Sequence, residues 1–344
     1  MLKSFYTTEP DAVVAQLLDY GHPKYRAYQL LKWVYEKHVY NPEEMSDLPK
    51  QFRDEIWKTF DFKLPKIISH ATSQDGSIKY VIKLKDNHLI ETVMIPSSKK
   101  RTLCISSQVG CPHRCHFCAT GKGGFQRNLT ALEIISQFLL VARENHKEKI
   151  TNLVFMGMGE PLDNLEAVLQ VLRILQAERG ISFSPRRTTI STCGIVPKIK
   201  LLADSGVKTK LAVSLNAAMD SKRSQIMLMN KTYPLQELKL ALKYFRAKTS
   251  YRITLEYIMI PELNMTLSDA KALMTYARDL SCKVNLIPLN PIDGFAYRSP
   301  NAEEVSKFLA LLMPLQKSVT VRKSAGADIF GACGQLASQR SKNE

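Results

Sequence analysis

The sequence predicts an α/β protein built on a parallel β-sheet. After residue 100, short apolar strands alternate with helical stretches in six or so β-α units. Units of this kind in series form a parallel sheet with right-handed crossovers, either a full or partial (β/α) barrel or an open doubly wound sheet. Upstream of these units, the periodicity predicts a small helical domain followed by a β-hairpin.

Residues 1–62 form the predicted helical domain. Apolar and aromatic side chains recur at near-helical spacing from Lys24 to Val39, and a second helical stretch runs from Asp47 to Phe60. Residues 63–97 follow as the predicted hairpin, because the period there changes towards two and the tripeptide starting at Lys85 separates two strand-like runs.

Residues 98–322 carry the predicted parallel sheet and its helices. Strands are expected at Arg101–Ser107, Asn152–Gly157, Arg187–Ser191, Lys210–Leu215, Arg252–Ile260, Lys283–Leu289 and Ser318–Arg322. Helices are expected at Leu129–Arg143, Leu165–Arg179, Leu235–Ala247 and Leu267–Leu280. Residues 323–344 are expected to form a flexible, glycine-containing loop able to enter an active site, followed by a basic tail at residues 339–344.

The composition is that of an ordinary globular protein. At 344 residues and 45% hydrophobic content, the chain is long enough to bury a sizeable core. The longest apolar run, Phe308–Leu315, contains a proline and is far shorter than the roughly 20 residues of a membrane span. The first ten residues lack the apolar stretch of a signal peptide. We therefore expect a cytoplasmic protein.

The chain is strongly basic. Forty-eight Lys and Arg residues against 32 Asp and Glu residues give a formal net charge of +16. Such an excess is typical of proteins that bind a polyanion, although it also serves solubility or attraction to an anionic membrane. No amphipathic basic helix or lipidation signal is evident, so the charge favours nucleic acid over a membrane.

Cysteines indicate metal or redox chemistry. The seven cysteines are an odd number, which argues against a secreted disulfide framework. Cys111, Cys115 and Cys118 have C-x3-C-x2-C spacing directly after the first predicted strand of the sheet. A four-iron cluster normally takes four protein ligands, so three leave one iron open. The alternative is a zinc site with His113 or His116 as fourth ligand, but no second cysteine pair accompanies it.

Small or polar residues follow four of the predicted strands. These breaks are Gly157–Pro161, Ser191–Gly194, Ser214–Asn216 and Asn290–Pro291. Ligands of β/α proteins gather at the carboxyl ends of the strands, so these breaks are candidate binding segments. Taken singly, each is also compatible with an ordinary turn between a strand and a helix.

The cysteine triplet, with Phe117 before its last member, resembles the signature of the radical S-adenosylmethionine (SAM) superfamily. Over nearly the whole chain the sequence resembles the RlmN/Cfr family of RNA methyltransferases, which methylate adenosine. The matching segments are Cys104–Cys111, Gly124–Leu129, Met156–Leu162, Ser184–Arg187, Asn285–Pro288 and Ala332–Leu336. The resemblance implies a partial (β/α)6 radical SAM barrel, and an N-terminal accessory domain that engages RNA.

The same resemblance implies the cofactors and their ligands. Cys111, Cys115 and Cys118 would hold one 4Fe-4S cluster, whose open iron chelates SAM and delivers the electron that cleaves it. Two SAM molecules would be used in each turnover. Residues expected to contact SAM are Gly159 and Glu160, at its amino group, and Ser191, Ser214, Leu215, Asn216 and Asn290, at its ribose, carboxylate and adenine. The family commonly has His where this chain has Asn216.

The resemblance also assigns three residues outside the cluster. Cys333 would take a methyl group from one SAM, because adenine C2 is electrophilic and cannot accept the methyl directly. Cys104 would then attack the Cys333 sulfur and release the product, leaving a disulfide. Glu91 matches the general base of the family. Without the family context, a buried structural thiol at Cys333 and a solvated strand residue at Glu91 would be preferred. Cys193 and Cys282 match no motif and are interpreted as core residues.

The expected partners are 23S rRNA and tRNA, where adenine C2 next to the anticodon would be methylated, and an electron donor such as flavodoxin or ferredoxin. A monomer without membrane association is expected. Pro161 and the segment starting at Gly124 favour the RlmN branch. The alternatives are Cfr-type methylation at C8, which confers antibiotic resistance, and a non-catalytic RNA-binding zinc protein. Candidate phosphate contacts are Lys24, Arg26, Lys32, Arg127, Arg186, Arg187 and Arg322.

Overall fold

The structure is a computed structural model and describes residues 2–146 and 148–336. The basic tail expected at residues 339–344 lies outside the described residues. The C-terminal loop that precedes this tail is described up to Leu336.

The N-terminal domain combines helices with a two-stranded parallel sheet. Its elements are β1 (Lys3–Ser4), α1 (Pro10–Asp19), α2 (Lys24–Tyr35), α3 (Lys50–Thr59) and β2 (Phe60–Asp61). Aromatic rings fill its core, and those of Phe5 and Phe62 stack at a centroid distance of 4.9 Å. The Tyr40 hydroxyl donates to the Leu139 carbonyl oxygen at 2.7 Å, which fixes the domain to the one that follows.

Three antiparallel strands come next, namely β3 (Lys66–Thr72), β4 (Ile78–Lys83) and β5 (Leu89–Ser97). The predicted hairpin corresponds to β4 and β5. The sequence analysis did not predict β3, because most of its side chains are exposed and it lacks an apolar alternation. Backbone pairing with β4 holds it at the edge of the sheet.

The remaining elements alternate between strands and helices. They are β6 (Lys100–Cys104), β7 (Gln108–Gly110), α4 (Ala119–Lys122), β8 (Phe125–Asn128), α5 (Ala131–Glu144), β9 (Asn152–Phe155), α6 (Leu165–Gln176), β10 (Thr188–Thr192), α7 (Val196–Asp204), β11 (Lys210–Ser214), α8 (Asp220–Ile226), α9 (Met229–Thr232), α10 (Leu235–Thr249), β12 (Ile253–Met259), α11 (Pro261–Asn264), α12 (Leu267–Ala277), β13 (Cys282–Pro288), α13 (Ala302–Leu311) and β14 (Val319–Val321). Every strand predicted between residues 101 and 322 overlaps an observed one.

Within the described residues, one sheet contains ten strands in the order β14-β13-β12-β11-β10-β9-β6-β5-β4-β3. The strands from β6 to β14 in this sheet are parallel and follow each other in chain order. A doubly wound sheet would reverse its strand order, which this sheet does not do. Its two edges, β3 and β14, are not paired with each other in the described sheet. The architecture is therefore the partial barrel.

Burial and capping explain where the elements lie. Strand β11 contributes Leu211, Ala212 and Val213 to the core, all fully buried, as expected for a parallel strand covered on both faces. Helix α5 begins after a capping box, in which Thr130 Oγ1 accepts from the Glu133 N–H at 3.2 Å and the Glu133 carboxylate accepts from the Thr130 N–H at 2.8 Å. The helix consequently starts at Ala131, two residues after the start at Leu129 that the apolar pattern predicts.

Candidate active site

Cys111, Cys115 and Cys118 lie on the loop between β7 and α4. Gly110 opens this loop with φ of +76°, and a side chain there would overlap the carbonyl oxygen of Gly124. That oxygen accepts a hydrogen bond from the Cys111 N–H at 2.9 Å. A glycine at position 110 is therefore required for the turn. The turn directs the loop so that all three thiols line one cavity of about 900 Å³, the cluster cavity.

The donors in the cluster cavity suit an iron–sulfur cluster. Burial raises the pKa of all three thiols, that of Cys111 to about 12, so a metal bound there would have to displace their protons. The Cys118 sulfur accepts hydrogen bonds from the backbone N–H groups of Thr120 and Gly121. Hydrogen bonds of this kind orient and tune thiolate ligands of iron.

His113, one of the two residues considered as a fourth zinc ligand, has another partner. Its Nε2 atom lies 2.5 Å from Oδ2 of Asp163, and hydrogen bonding to this carboxylate raises the pKa of His113 despite its burial. In the part of the chain that the structure describes, no group of three or more His, Cys, Asp or Glu side chains converges on a single ion.

Glu160 is buried and also lines the cluster cavity, and its carboxylate is fixed by backbone donors. It accepts from the Leu162 N–H at 3.0 Å and from the Cys193 N–H at 2.7 Å. Gly159 precedes it with φ of +98°, and a side chain there would clash with Gln108. Burial raises the pKa of Glu160. A buried carboxylate beside an open cavity suits a cationic group of a ligand.

Ser191 and Ser214 lie at the carboxyl ends of the neighbouring strands β10 and β11, and both line the cluster cavity. The Ser191 hydroxyl donates to the Glu256 carboxylate on β12 at 3.5 Å. Glu256 also lines this cavity, and burial raises its pKa. Glu256 is not among the predicted site residues, although a lone acidic residue within the apolar strand Ile253–Met259 is a signal that indicates it.

Asn216 lines the cluster cavity, but its amide is already bonded within the wall. Its Oδ1 accepts from the Ile258 N–H at 3.0 Å, and its Nδ2 donates to the Met227 sulfur at 3.3 Å. The adjacent Leu215 is fully buried. The side chain of Leu215 thus lies in the core, and its carbonyl oxygen accepts from Arg223 at 3.0 Å.

A second cavity of about 420 Å³ adjoins the first; we call it the thiol cavity. Cys104, at the end of β6, and Cys333, on the C-terminal loop, both line it. Cys333 lines the cluster cavity as well. The two thiols expected to act outside the cluster therefore lie together, beside the cluster ligands. Asn290 also lines the thiol cavity, and its Nδ2 donates to the Cys333 carbonyl oxygen at 3.0 Å.

The C-terminal loop is held at both ends. Near the cluster loop, the Ala119 N–H donates to the Gly334 carbonyl oxygen at 2.6 Å. Near the β3–β4 turn, Asp328 accepts from the Ser73 hydroxyl at 2.5 Å and from the Gln74 N–H at 3.1 Å. The sequence analysis expected a flexible loop that enters the site; in this structure the loop is bound inside it.

Glu91 lies on β5, where its carboxylate pairs with the buried Lys79 ammonium at 3.3 Å. Val93, two residues along the same strand, stands opposite Cys104 on β6. Alternate residues share a face of a strand, so Glu91 and Cys104 lie on the same face of the sheet. Glu91 is not among the residues that line the thiol cavity or the cluster cavity in the described structure.

The structure corrects the interpretation of Arg322, whereas the interpretation of Cys193 as a core residue is confirmed. Arg322 was expected to contact phosphate at the surface, whereas it lines the thiol cavity together with Cys104 and Cys333. Cys193 was interpreted as a core residue; it is buried, but it also lines the cluster cavity. Both residues lie just beyond the carboxyl end of a strand, and that position in the sequence is the signal that could have indicated a place in the site. Cys282 is buried, as expected.

Arg223 is another residue that sequence reasoning missed. It is fully buried, and its guanidinium connects the ends of two strands that carry site residues. It donates to the carbonyl oxygens of Leu215 at 3.0 Å, Cys193 at 2.7 Å and Ser214 at 3.1 Å, and to Asn230 Oδ1 at 2.9 Å. The segments after β10 and β11 are thereby held to one another.

Of the remaining candidates for phosphate contact, Arg127 is engaged within the protein. It pairs with Asp86 at 2.6 Å and with Glu133 at 2.8 Å. Arg186 and Arg187 are exposed beside β10. Arg26 lies over the exposed ring of Tyr25, 4.9 Å from its centroid.

Two family models match the chain. Residues 105–274 match the Radical SAM superfamily, and residues 10–60 match the Ribosomal RNA large subunit methyltransferase N-terminal domain. Among solved structures, a radical SAM methyltransferase from Sphaerobacter thermophilus is 38% identical and superposes with a TM-score of 0.92, covering 98% of this chain and 100% of that one. The partial barrel with its cysteine triplet is thus a radical SAM fold, and the chain is a SAM-dependent methyltransferase that uses a 4Fe-4S cluster.

Curated relatives narrow the class. The dual-specificity RNA methyltransferase RlmN of Nitratiruptor sp. is 42% identical over 91% of this chain and 93% of its own length. The protein of the same name from Bdellovibrio bacteriovorus is 41% identical over 97% of this chain and 83% of its own length. The chain belongs to the RlmN family of RNA methyltransferases. The predicted family, fold, enzyme class and cofactors are confirmed, and the alternative of a non-catalytic zinc protein is rejected.

None of the helices in residues 2–146 and 148–336 is both long enough and apolar enough to cross a membrane.

Proposed function

We propose that this enzyme methylates C2 of adenine in 23S rRNA and in tRNA, next to the anticodon, through an S-methylcysteine and a transient disulfide. The relatives named above are dual-specificity RNA methyltransferases, which supports both RNA classes. The observation that carries the proposal is the juxtaposition of Cys104 and Cys333 in the thiol cavity, with Cys333 reaching into the cluster cavity as well.

The two thiols have separate tasks in this proposal. Cys333 takes a methyl group from SAM by displacement, since the electrophilic C2 carbon cannot accept an electrophilic methyl directly. After the methyl carbon has joined C2, the adduct loses the C2 proton to a base and its unpaired electron, which the oxidised cluster would accept. The Cys104 thiolate then attacks the Cys333 sulfur. The S–S bond forms and the S–C bond breaks, and the carbon leaves with the electron pair and takes up a proton to become the methyl group. A thiol reductant then restores the two cysteines.

Cys111, Cys115 and Cys118 would hold the cluster, which supplies the electron that cleaves SAM and so provides hydrogen abstraction from the S-methyl group. Glu160 would bind the cationic amino group of SAM with its fixed carboxylate, next to Gly159. Hydroxyls at the strand ends would orient the nucleoside part. Ser191 and Ser214 would supply these hydroxyls, and the other residues proposed to contact SAM are Leu215, Asn216 and Asn290.

Glu91 is the proposed base that removes the C2 proton. Its support is its position on the same sheet face as Cys104 and its pairing with Lys79 at 3.3 Å. RNA binding brings the target adenine to this face of the sheet. The Glu91 carboxylate must there reach within hydrogen-bond distance of the C2 proton of the adenine.

An adenine within folded RNA has to be unstacked before its C2 edge reaches a catalytic group. The net charge of +16 supplies the attraction for the phosphates. In the N-terminal domain, Lys37 lies 3.3 Å from the ring centroid of Trp33, and Arg26 lies over Tyr25. Paired cations and aromatic rings suit the phosphates and bases of single-stranded segments. We further propose that the enzyme is a monomer in the cytoplasm and that flavodoxin or ferredoxin reduces it.

Nucleoside mass spectrometry tests this function. Ribosomal RNA and tRNA are purified separately from cells with and without the gene. We expect 2-methyladenosine in both RNA classes only when the gene is present. Finding 8-methyladenosine instead would overturn the proposal in favour of Cfr-type methylation. Finding 2-methyladenosine in a single RNA class would overturn the dual specificity alone.

A further inference from the structure

Arg322 places a guanidinium group in the thiol cavity, and the RNA-methylating reaction as proposed above assigns it no task. The residue follows β14, and its backbone N–H donates to the Leu286 carbonyl oxygen at 2.8 Å, which extends the pairing with β13. Its Nη1 lies 3.7 Å from the Met156 sulfur. Arg322, Met156, Cys104 and Cys333 line the same cavity.

The surroundings of Cys104 oppose its ionisation. Burial raises the pKa of this thiol to about 12, and the neighbouring Cys333 and Glu256 add to the rise. Arg322 and the Met156 N–H, which donates to the Cys104 sulfur, act in the opposite direction. Arg322 thus supplies positive charge where the thiolate has to form.

Arg322 remains positively charged in this cavity. Cys333, Glu256 and Cys104 together raise its pKa against the effect of burial. A guanidinium group stays protonated in proteins in any case, so it cannot take the thiol proton as a base. It can act by stabilising the anion, as a cation does at other reactive cysteines.

We propose that Arg322 is a positioning residue that stabilises the Cys104 thiolate for its attack on the Cys333 sulfur. This inference rests on the proposed thiol relay. In the attack, the Cys104–Cys333 S–S bond forms and the bond from Cys333 sulfur to the RNA-linked carbon breaks. Its electron pair goes to that carbon, which is protonated to the methyl group. The two thiols are oxidised by two electrons and the carbon is reduced by two, so the step balances.

The alternative is that Arg322 serves the earlier steps, for example by shaping the SAM site or by activating Cys333 for methylation. The two roles predict different failures. Loss of a residue needed early would prevent formation of the protein–RNA adduct. Loss of a residue needed only by Cys104 would let the adduct form and then accumulate, as expected for Cys104→Ala.

The test uses cluster-loaded, full-length enzyme in single-turnover reactions with SAM, a reductant and an adenine-containing RNA substrate. The variants are two neutral replacements, Arg322→Met and Arg322→Gln, and the conservative Arg322→Lys. Lys307→Met is the matched control, because Lys307 is exposed on α13 and this substitution likewise removes one positive charge. Peptide mass spectrometry measures methylation of Cys333, and denaturing gels measure formation and decay of the covalent RNA adduct.

We expect normal methylation of Cys333 in all variants. In both neutral variants the adduct should accumulate and decay at least about 10-fold more slowly than in wild type, whereas Arg322→Lys and Lys307→Met should resolve it near the wild-type rate. Wild-type adduct decay in the neutral variants, or loss of Cys333 methylation in them, would overturn the inference. If the wild-type enzyme forms no adduct and no methylated adenosine, the proposed function itself fails.

Discussion

The buried Arg223 provides a quantitative test of how the SAM site is built. Arg223→Met keeps the length of the side chain and removes its donors. Three buried acceptors, the carbonyl oxygens of Cys193 and Ser214 and Asn230 Oδ1, then lose a donor that lies within 3.1 Å. The Leu215 carbonyl oxygen also loses Arg223 but keeps a hydrogen bond from the Ala217 N–H at 2.7 Å. A buried acceptor left unsatisfied costs about 1–3 kcal/mol, so three cost at least about 3 kcal/mol. Arg223→Met no longer buries a charged guanidinium group, and this gain offsets part of the cost of the unsatisfied acceptors. We expect a net destabilisation of about 3–5 kcal/mol.

The loss should also reach the cofactor site. Arg223 holds the carbonyl groups of Cys193, Ser214 and Leu215 together at the carboxyl ends of β10 and β11, where Ser191 and Ser214 lie, so these ends lose a connection. We expect the affinity for SAM to fall by at least about 10-fold. Urea denaturation followed by circular dichroism gives the free energy of unfolding, and calorimetry of the cluster-loaded protein gives the SAM affinity.

Arg173→Met is the control for Arg223→Met. Arg173 is exposed on α6, so its replacement should change the free energy of unfolding by less than about 0.5 kcal/mol. A destabilisation below about 1 kcal/mol in Arg223→Met, together with wild-type binding of SAM, would refute the reasoning.

Three further predictions concern the loops. Cys333→Ala should abolish methylation, which nucleoside analysis measures. Cys104→Ala should trap a covalent RNA adduct, which denaturing gels detect. Turnover by either variant would contradict the relay. Gly110→Ala should lower the iron content after reconstitution, because its side chain overlaps the Gly124 carbonyl group, and wild-type iron-sulfur absorbance would contradict this. Asp328→Ala should accelerate amide hydrogen exchange in residues 326–336, since its two hydrogen bonds fix that loop, and unchanged exchange would show that other contacts suffice.

The sequence by itself determined the local features of this enzyme. The alternation of apolar strands and amphipathic helices follows from the period of each element, so it could be read without knowledge of distant contacts. The cysteine triplet is contained within eight residues, and its spacing alone indicates a metal cluster with an open position. Strand ends with small or polar residues, such as Gly159–Glu160 and Ser214, could be found because parallel strands present their carboxyl ends at one edge.

Only the tertiary structure decided which distant residues meet. Cys104 and Cys333 share a cavity because β6 and the C-terminal loop are brought together by packing, and no local pattern in the sequence records that contact. The same holds for Arg322, which the sequence alone indicates as a surface cation beside an exposed strand, whereas it lines the cavity that contains both thiols. Arg223 reads as one charge on a short helix, yet its buried hydrogen bonds connect two strand ends. Side-chain chemistry is local, whereas the environment that activates it is made by the fold.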